Sequence, residues 1–360
     1  MAYEIDFIGS DIPKKDYDAT AFRYKSRGVF VNCVFDGGTS DAGKALVKHI
    51  SDYYALPNNT IDYVFCSHAD LDHSSGLAEV FDSFKVNNLV INRPWDYIDE
   101  LYELVQDGRI TKKSLEENLR ETYKYVTELE EKALKQNTRI IPGIVGANLP
   151  AEMTIMSPSR EFYIKCLAES TKTPEMVVSN EAQGFLGKVA EFAKNMIAAI
   201  WGVDAIREGE ETSPENETSI VLYVKPAGHS PFMYCGDAGC RALKAASEYA
   251  STVGKPLTDC SFVQVPHHGG RHNVSPSILD AIIGKKVKKG EIPEKTAFVS
   301  VSTDSDHPRK CVANAFINRG CKVFVCRSNT IWHHHGDVPD RNWGAATAEK
   351  YSSQVEVWDN

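Results

Sequence analysis

The stretch that most limits what this chain can fold into is Ser67 to Leu77, SHADLDHSSGL, directly after the apolar run Ile61 to Cys66 (IDYVFC). The run has the length and the β-branched, aromatic character of a buried strand. The polar stretch then sets His68, Asp70, Asp72 and His73 within six positions. A period of two turns His68, Asp70 and Asp72 to one side, and a turn brings His73 round to join them. Imidazoles and carboxylates gathered this way can converge on one or two divalent cations. Without a cation or a proton between them, neighbouring carboxylates repel. The competing reading is a solvated helix start, with Asp72 as N-cap and Ser74, Ser75 and Gly76 opening the helix.

The remaining composition excludes several classes. With 360 residues, 42% hydrophobic and 25% charged, the chain can bury a large core as an ordinary globular protein. A net charge of −9 argues against a broad nucleic-acid surface, but it leaves room for a small basic cleft or for divalent metals. Nine scattered cysteines with no C-x-x-C pair point to reduced thiols and a cytoplasmic setting. No apolar run nears the length of a membrane span, and the start MAYEIDFIGS has no signal-peptide pattern, so no membrane role is expected.

Along the chain, strands are expected at Glu4 to Ile8, Thr20 to Tyr24 and Val29 to Phe35, followed by a helix from Asp41 to Tyr54. After the central stretch come a helix from Ser75 to Phe81 and a strand near Leu89 to Ile91. Leu115, Leu119, Tyr123, Val126, Leu129 and Ala133 recur at helical spacing, which predicts one amphipathic helix paired with a shorter one around Tyr97 to Val105. Strands return at Thr138 to Ile141 and Met153 to Met156. Phe162 to Glu211 reads as a second helical block, with Phe185, Val189, Phe192, Met196 and Ile200 in register, and Arg207 to Glu217 as a partly disordered loop. Later strands (Ser219 to Val224, Phe232 to Cys235, Ser261 to Val265, Ala297 to Val301, Lys322 to Cys326) repeatedly end in Asp or His, as α/β enzymes build their sites. His333-His334-His335 reads as an exposed loop and His229 as a surface residue.

Five motifs occur in order: Asp36-Gly37-Gly38, the His68, Asp70, Asp72, His73 turn, Gly236-Asp237-Ala238, the Pro266 to Gly269 turn (PHHG), and His307-Pro308. This series resembles the metallo-β-lactamase superfamily. It is most similar to the branch containing the hydrolase domain of DNA-uptake competence (ComEC-type) proteins, where Asp stands at the position of Asp70. The resemblance implies an α/β fold, an αββα metallo-β-lactamase-like sandwich with the motifs along one edge. It further implies a single domain over 1–360 with helical insertions at about 95–136 and 162–211. Two departures stand out. Ile12 to Asp18 (IPKKDYD) replaces the branch's glycine-rich turn, and Asn216-Glu217-Thr218-Ser219 stands where the superfamily has a third-motif His.

The resemblance also implies a ligand set for two divalent ions, Zn or Mn: His68, Asp70, Asp72, His73, Asp237 and His267. Asp237 would be the bridge, with an N-cap before Arg241 as its rival role. His267 and His268 compete for one position, because strand alternation turns only one inward, and His267 is preferred. Asp72 and His307 are the catalytic candidates, His307 as a phosphate donor or as general acid to the leaving oxygen. Asp36, Asn216, His268 and Arg271 would support the ligands or touch substrate. The carboxylates favour Mn²⁺, with Zn²⁺ as the other candidate. The expected function is a soluble phosphodiesterase or nuclease acting on DNA or a nucleotide ester through a metal-bridging hydroxide. The alternatives are an acyl hydrolase (lactonase, thioesterase or β-lactamase-like) and a non-catalytic subunit. The helical insertions are the expected surface for a protein partner or a second copy.

Overall fold

A computed structural model describes residues 2–13, 15–105, 109–172 and 196–358. Its first half opens with β1 (Ala2–Phe7), β2 (Ala19–Ser26) and β3 (Val29–Gly37). It then alternates through α1 (Ser40–Tyr53), β4 (Thr60–Phe65), α2 (Leu71–Ser74), α3 (Leu77–Ser83), β5 (Lys85–Val90), α4 (Ile98–Glu103), α5 (Lys112–Thr122), α6 (Lys124–Gln136) and β6 (Arg139–Ile141). The second half comprises β7 (Met153–Ser157), α7 (Arg160–Glu169), β8 (Met196–Ala198), α8 (Pro214–Glu217), β9 (Val221–Val224), β10 (Phe232–Tyr234), α9 (Cys240–Thr252) and β11 (Phe262–Gln264). It ends with α10 (Pro276–Ile282), β12 (Lys295–Ser300), α11 (Lys310–Ile317), β13 (Cys321–Cys326), β14 (Ile331–Gly336) and β15 (Gln354–Glu356).

These strands build a seven-stranded sheet in the order β14-β1-β2-β3-β4-β5-β6 and a six-stranded sheet in the order β13-β12-β11-β10-β9-β7. Both sheets mix pairings. In the first, β3 to β6 run parallel while β14, β1, β2 and β3 alternate. In the second, β10 to β13 run parallel while β7, β9 and β10 alternate. Between the sheets, Phe7, Phe22, Phe35, Phe65, Phe232, Tyr234, Phe262 and Phe298 form an aromatic core. Full burial of each such ring contributes roughly 1.5–3 kcal/mol. The outer face of one sheet packs under α1, α3, α5 and α6, and that of the other under α9, α10 and α11. This is the αββα sandwich that the motif order implied.

Four local expectations change. The single helix over Leu115 to Ala133 is two, α5 and α6, broken at Tyr123 where ψ reaches 48°. Its apolar stripe is buried all the same, against the chain's own sheet, because the break keeps both segments on one face. In the second helical block α7 is a helix, but Met196 begins strand β8, paired with β15, and Ile200 is exposed. Phe185, Val189 and Phe192 lie outside the described residues. Arg207 to Glu217 is an ordered loop ending in α8, pinned by Glu208 to Ser277 and by Glu210 to His272. His333 to His335 belong to β14, paired with β1, and His229 packs its ring against Tyr3 and His335. No sequence period could show that pairing, since its two strands lie at opposite ends of the described chain.

Candidate metal centre

The site gathers at one edge of the sandwich because the parallel strands of both sheets end there. β3 delivers Asp36, β4 delivers Ser67 and His68, β10 delivers Asp237, and β11 delivers His267 and His268. Antiparallel β2 begins at the same edge, which brings in Asp18. Close backbone packing completes the gathering. A Cβ on Gly76 would stand 2.0 Å from the Gly37 carbonyl oxygen, so only glycine lets the α2–α3 turn press against the Asp36-Gly37-Gly38 turn.

Asp36, His267 and His268 all have left-handed backbone, with φ of 59°, 48° and 55°. Such residues cost on the order of 1–3 kcal/mol each and concentrate where function requires them. This corrects the choice between the two histidines. Strand alternation does not apply to a left-handed turn, and both rings face the same carboxylate. His267 Nε2 lies 3.7 Å from Asp237 Oδ2, while His268 groups with Asp18, His73 and Asp237 within 4.8 Å.

Asp237 stands between two half-sites. On one side are His68, whose Nε2 is 3.9 Å from Asp237 Oδ2, then Asp70 at 3.8 Å from His68, and His267. On the other side His73 Nε2 is 3.1 Å from Asp237 Oδ1, with Asp18 and His268 completing the group. Asp237 is not the cap of α9. That helix has Gly239 at its N-cap, and Glu217 accepts from the backbone N–H of Ala242 at 2.7 Å.

Each imidazole is pinned through Nδ1 from outside. His68 meets Ser67 Oγ at 3.0 Å, His73 meets Asp36 Oδ2 at 2.9 Å, His267 meets Asn273 Oδ1 at 2.6 Å, and His268 meets the Ser300 carbonyl at 2.9 Å. Asp36 also accepts from the Ser67 N–H and hydroxyl, and Asn216 lies 3.5 Å from His267 Nδ1. The inward atoms are left over. His68 Nε2 and His268 Nε2 are buried without a hydrogen-bond partner, and His73 Nε2 and Asp237 Oδ1 face only each other, in poor hydrogen-bond geometry. Ligating histidines are held through one nitrogen so that the other can bind metal, and these residues fit divalent cations on that ground.

The electrostatics agree. Burial opposes the charge on Asp237, but His73, His267 and His268 outweigh it and hold the carboxyl well below its usual range. Burial likewise opposes charge on His73, and Asp237 and Asp36 reverse it, raising the imidazole. Asp18 is pushed up to about 6, chiefly by burial and further by Asp237 and Asp36, against the opposing pull of His268 and His73.

Other candidates lie elsewhere. The structure groups Asp18, not Asp72, with His73. Asp72 sits in the first turn of α2, where its carbonyl accepts from the Asp18 N–H at 3.1 Å. Arg271 is turned away, donating to the Val357 carbonyl and stacking on Trp358. His307 meets Asp16 at 2.9 Å. Two residues escaped the sequence reading: Asp18, whose only signal is an acidic residue beside a strand, and Lys172, whose Nζ reaches Asp70 Oδ1 at 2.8 Å.

A sequence model described as the metallo-beta-lactamase superfamily matches residues 32–140, a span holding Asp36 and the His68 to His73 turn and running through 95–136. Over that span the chain is similar to the metallo-β-lactamase superfamily. Similar solved structures include a Cronobacter sakazakii metallo-β-lactamase with a HARLDQ motif, at 9% identity and a TM-score of 0.28, covering 64% of this chain and 60% of that one. Another is the metallo-β-lactamase MIM-1 from Novosphingobium pentaromativorans, at 10% identity and a TM-score of 0.31, covering 87% and 86%. Similarity at this level says nothing about substrate. No curated protein matches the chain.

Proposed function

We propose that this protein is a two-metal hydrolase that cleaves phosphodiesters, with DNA or a nucleotide ester as substrate. The observation that carries the reading is the pair of half-sites sharing Asp237, each with histidine Nε2 atoms pinned inward and a further carboxylate, Asp70 or Asp18. His68, Asp70 and His267 would hold one cation, His73, His268 and Asp18 the other, and Asp237 both. Divalent cations there supply Lewis-acid activation of the phosphoryl group and of the attacking water. A carboxylate-rich donor set suits Mn²⁺ better than an all-histidine one would.

The chain's own residues do the rest. Asp36, Ser67, Asn273 and Ser300 fix the rings, so that no reorganisation is needed when substrate arrives. Lys172 sets a cation at the mouth beside Asp70 and supplies a point charge for an anionic substrate.

The test pairs elemental analysis of purified protein with Mn²⁺- and Zn²⁺-dependent assays on bis-p-nitrophenyl phosphate, single-stranded DNA, a thioester and a β-lactam. About two metals per chain with phosphodiester cleavage is the expected result. Two metals with acyl substrates alone cleaved would move the protein to the acyl hydrolases, and no metal after loading would remove the enzyme reading.

A further inference from the structure

The two half-sites differ in what stands behind their own carboxylates. Asp18, which belongs to the His73 and His268 side alone, has 2% of its side chain exposed and accepts from Gln264 Nε2 at 3.0 Å. Gln264 is a neutral amide, and among the described residues no lysine or arginine pairs with Asp18. Asp70, which belongs to the His68 and His267 side alone, is 31% exposed and accepts from Lys172 Nζ at 2.8 Å. One carboxylate therefore keeps its full charge for whatever enters the centre, while the other is already matched by an ammonium.

The backbone brings that ammonium to the mouth. α7 ends at Glu169, and Ser170 carries the chain onward. Ser170 Oγ accepts from the Lys172 N–H at 3.1 Å and donates to Glu215 in α8, while the Thr122 hydroxyl at the end of α5 donates to the Lys172 carbonyl at 3.5 Å. Two helices thus hold the residue's main chain. Its side chain is half exposed, so the charged end can leave Asp70 for another anion without disturbing this anchor.

A carboxylate shared between an ammonium and a divalent cation serves each less well, because its charge is divided and the two cations repel. We propose that Lys172 competes with the cation of the Asp70 half-site. The Asp18 half-site then fills first, and the Asp70 half-site fills firmly only when a phosphodiester anion draws the ammonium away. This coupling rests on the two-metal reading and adds to it a link between substrate charge and metal content. The link is reciprocal: an anion that strengthens the cation at Asp70 is itself bound more tightly once that cation is present.

The experiment is a Mn²⁺ titration of metal-stripped protein, read by calorimetry and by the electron spin resonance signal of free Mn²⁺, so no turnover is needed. Wild type should take up Mn²⁺ in two steps, the second about tenfold weaker than the first. Lys172→Met should strengthen the second step about tenfold and leave the first unchanged. Lys172→Arg keeps the charge and should match wild type in both steps, and Asp18→Asn should weaken the first. Dimethyl phosphate should strengthen the second step in wild type and hardly at all in Lys172→Met, where no ammonium remains to be drawn off.

A second step unchanged in Lys172→Met would overturn the competition, as would dimethyl phosphate acting equally on both proteins. In either case Mn²⁺ would still be bound in two steps, and the two-metal reading would stand. Strengthening of the first step in Lys172→Met would overturn the filling order. Failure of every protein to bind Mn²⁺ would remove the two-metal reading and the competition together.

Discussion

Two clusters of buried charge lie in this fold, and they are solved in opposite ways. Beside β1, Glu4 and Asp6 face Arg23 and Arg341. Arg341 reaches Asp6 at 2.5 Å and Glu4 at 2.9 Å, Arg23 pairs with Glu4, Tyr54 donates to Asp6 Oδ2 at 2.8 Å, and Trp332 donates to Glu4 Oε2 at 2.9 Å. Two carboxylates meet two guanidiniums, and among the described residues none of their buried side-chain atoms lacks a partner. At the sandwich edge, Asp18, Asp36 and Asp237 meet histidines instead; His68 Nε2 and His268 Nε2 are buried with no hydrogen-bond partner, and His73 Nε2 and Asp237 Oδ1 have only each other. The first cluster is closed. The second is completed only by something that comes from outside, which separates a structural network from a site with a task.

That contrast can be broken most sharply at Asp237. Asp237→Ala removes the carboxylate common to both half-sites, so phosphodiester turnover should fall on the order of 10³-fold or more. Mn²⁺ should raise the melting temperature of the wild type and leave that of the variant unchanged. Retained activity and metal content in that variant would show that the edge cluster is not built for cations.

The closed network makes the reverse prediction. Arg341→Met strands Glu4 and Asp6 in the core and should cost about 3–5 kcal/mol, read from denaturant midpoints, while the folded fraction keeps its metal stoichiometry. A loss below about 1 kcal/mol would mean that water reaches these carboxylates in the folded protein.

The smallest effect is in pH. Burial would raise the Asp6 carboxyl, but His49 and Arg341 more than offset it and hold it below its ordinary value. A lowered folded pKa gives stability that is full above the unfolded value, about 3.9, and that fades as pH falls through the folded one. Wild-type midpoints should therefore drop between about pH 5 and pH 3 by more than those of Asp6→Asn. An equal drop in both would place the acid sensitivity elsewhere.

Much of the site was legible because strand-end motifs are local. Asp36, His68 and Asp237 each follow an apolar run, with His73 a turn further on in α2, and the fold needed only to bring those ends to one edge. Asp18 was not legible, since its place depends on β2 running antiparallel to β3 and so beginning where the parallel strands finish. The inward pointing of both His267 and His268 was hidden for a different reason. Their left-handed backbone overrides the strand period from which orientation was read. The helix break at Tyr123 escaped because α5 and α6 share one apolar stripe, which a period of 3.6 cannot tell from a continuous helix.

The place of β1 in its sheet also bears on how the protein is made. β1 lies between β2 and β14, and its Glu4 and Asp6 find Arg341 only beyond β14. During synthesis, β1 emerges ahead of the rest of its sheet and its outer partner, residues 331–336, after all of it. Throughout that interval the nascent chain carries an open strand edge and two carboxylates without the Arg341 guanidinium, and such an edge invites pairing with other chains. The sheet that holds half of the metal centre is therefore closed only after the other half has been translated. Assembly of the edge that carries the candidate site is a late event that draws on both halves of the chain, and β1 stays open to mispairing until then.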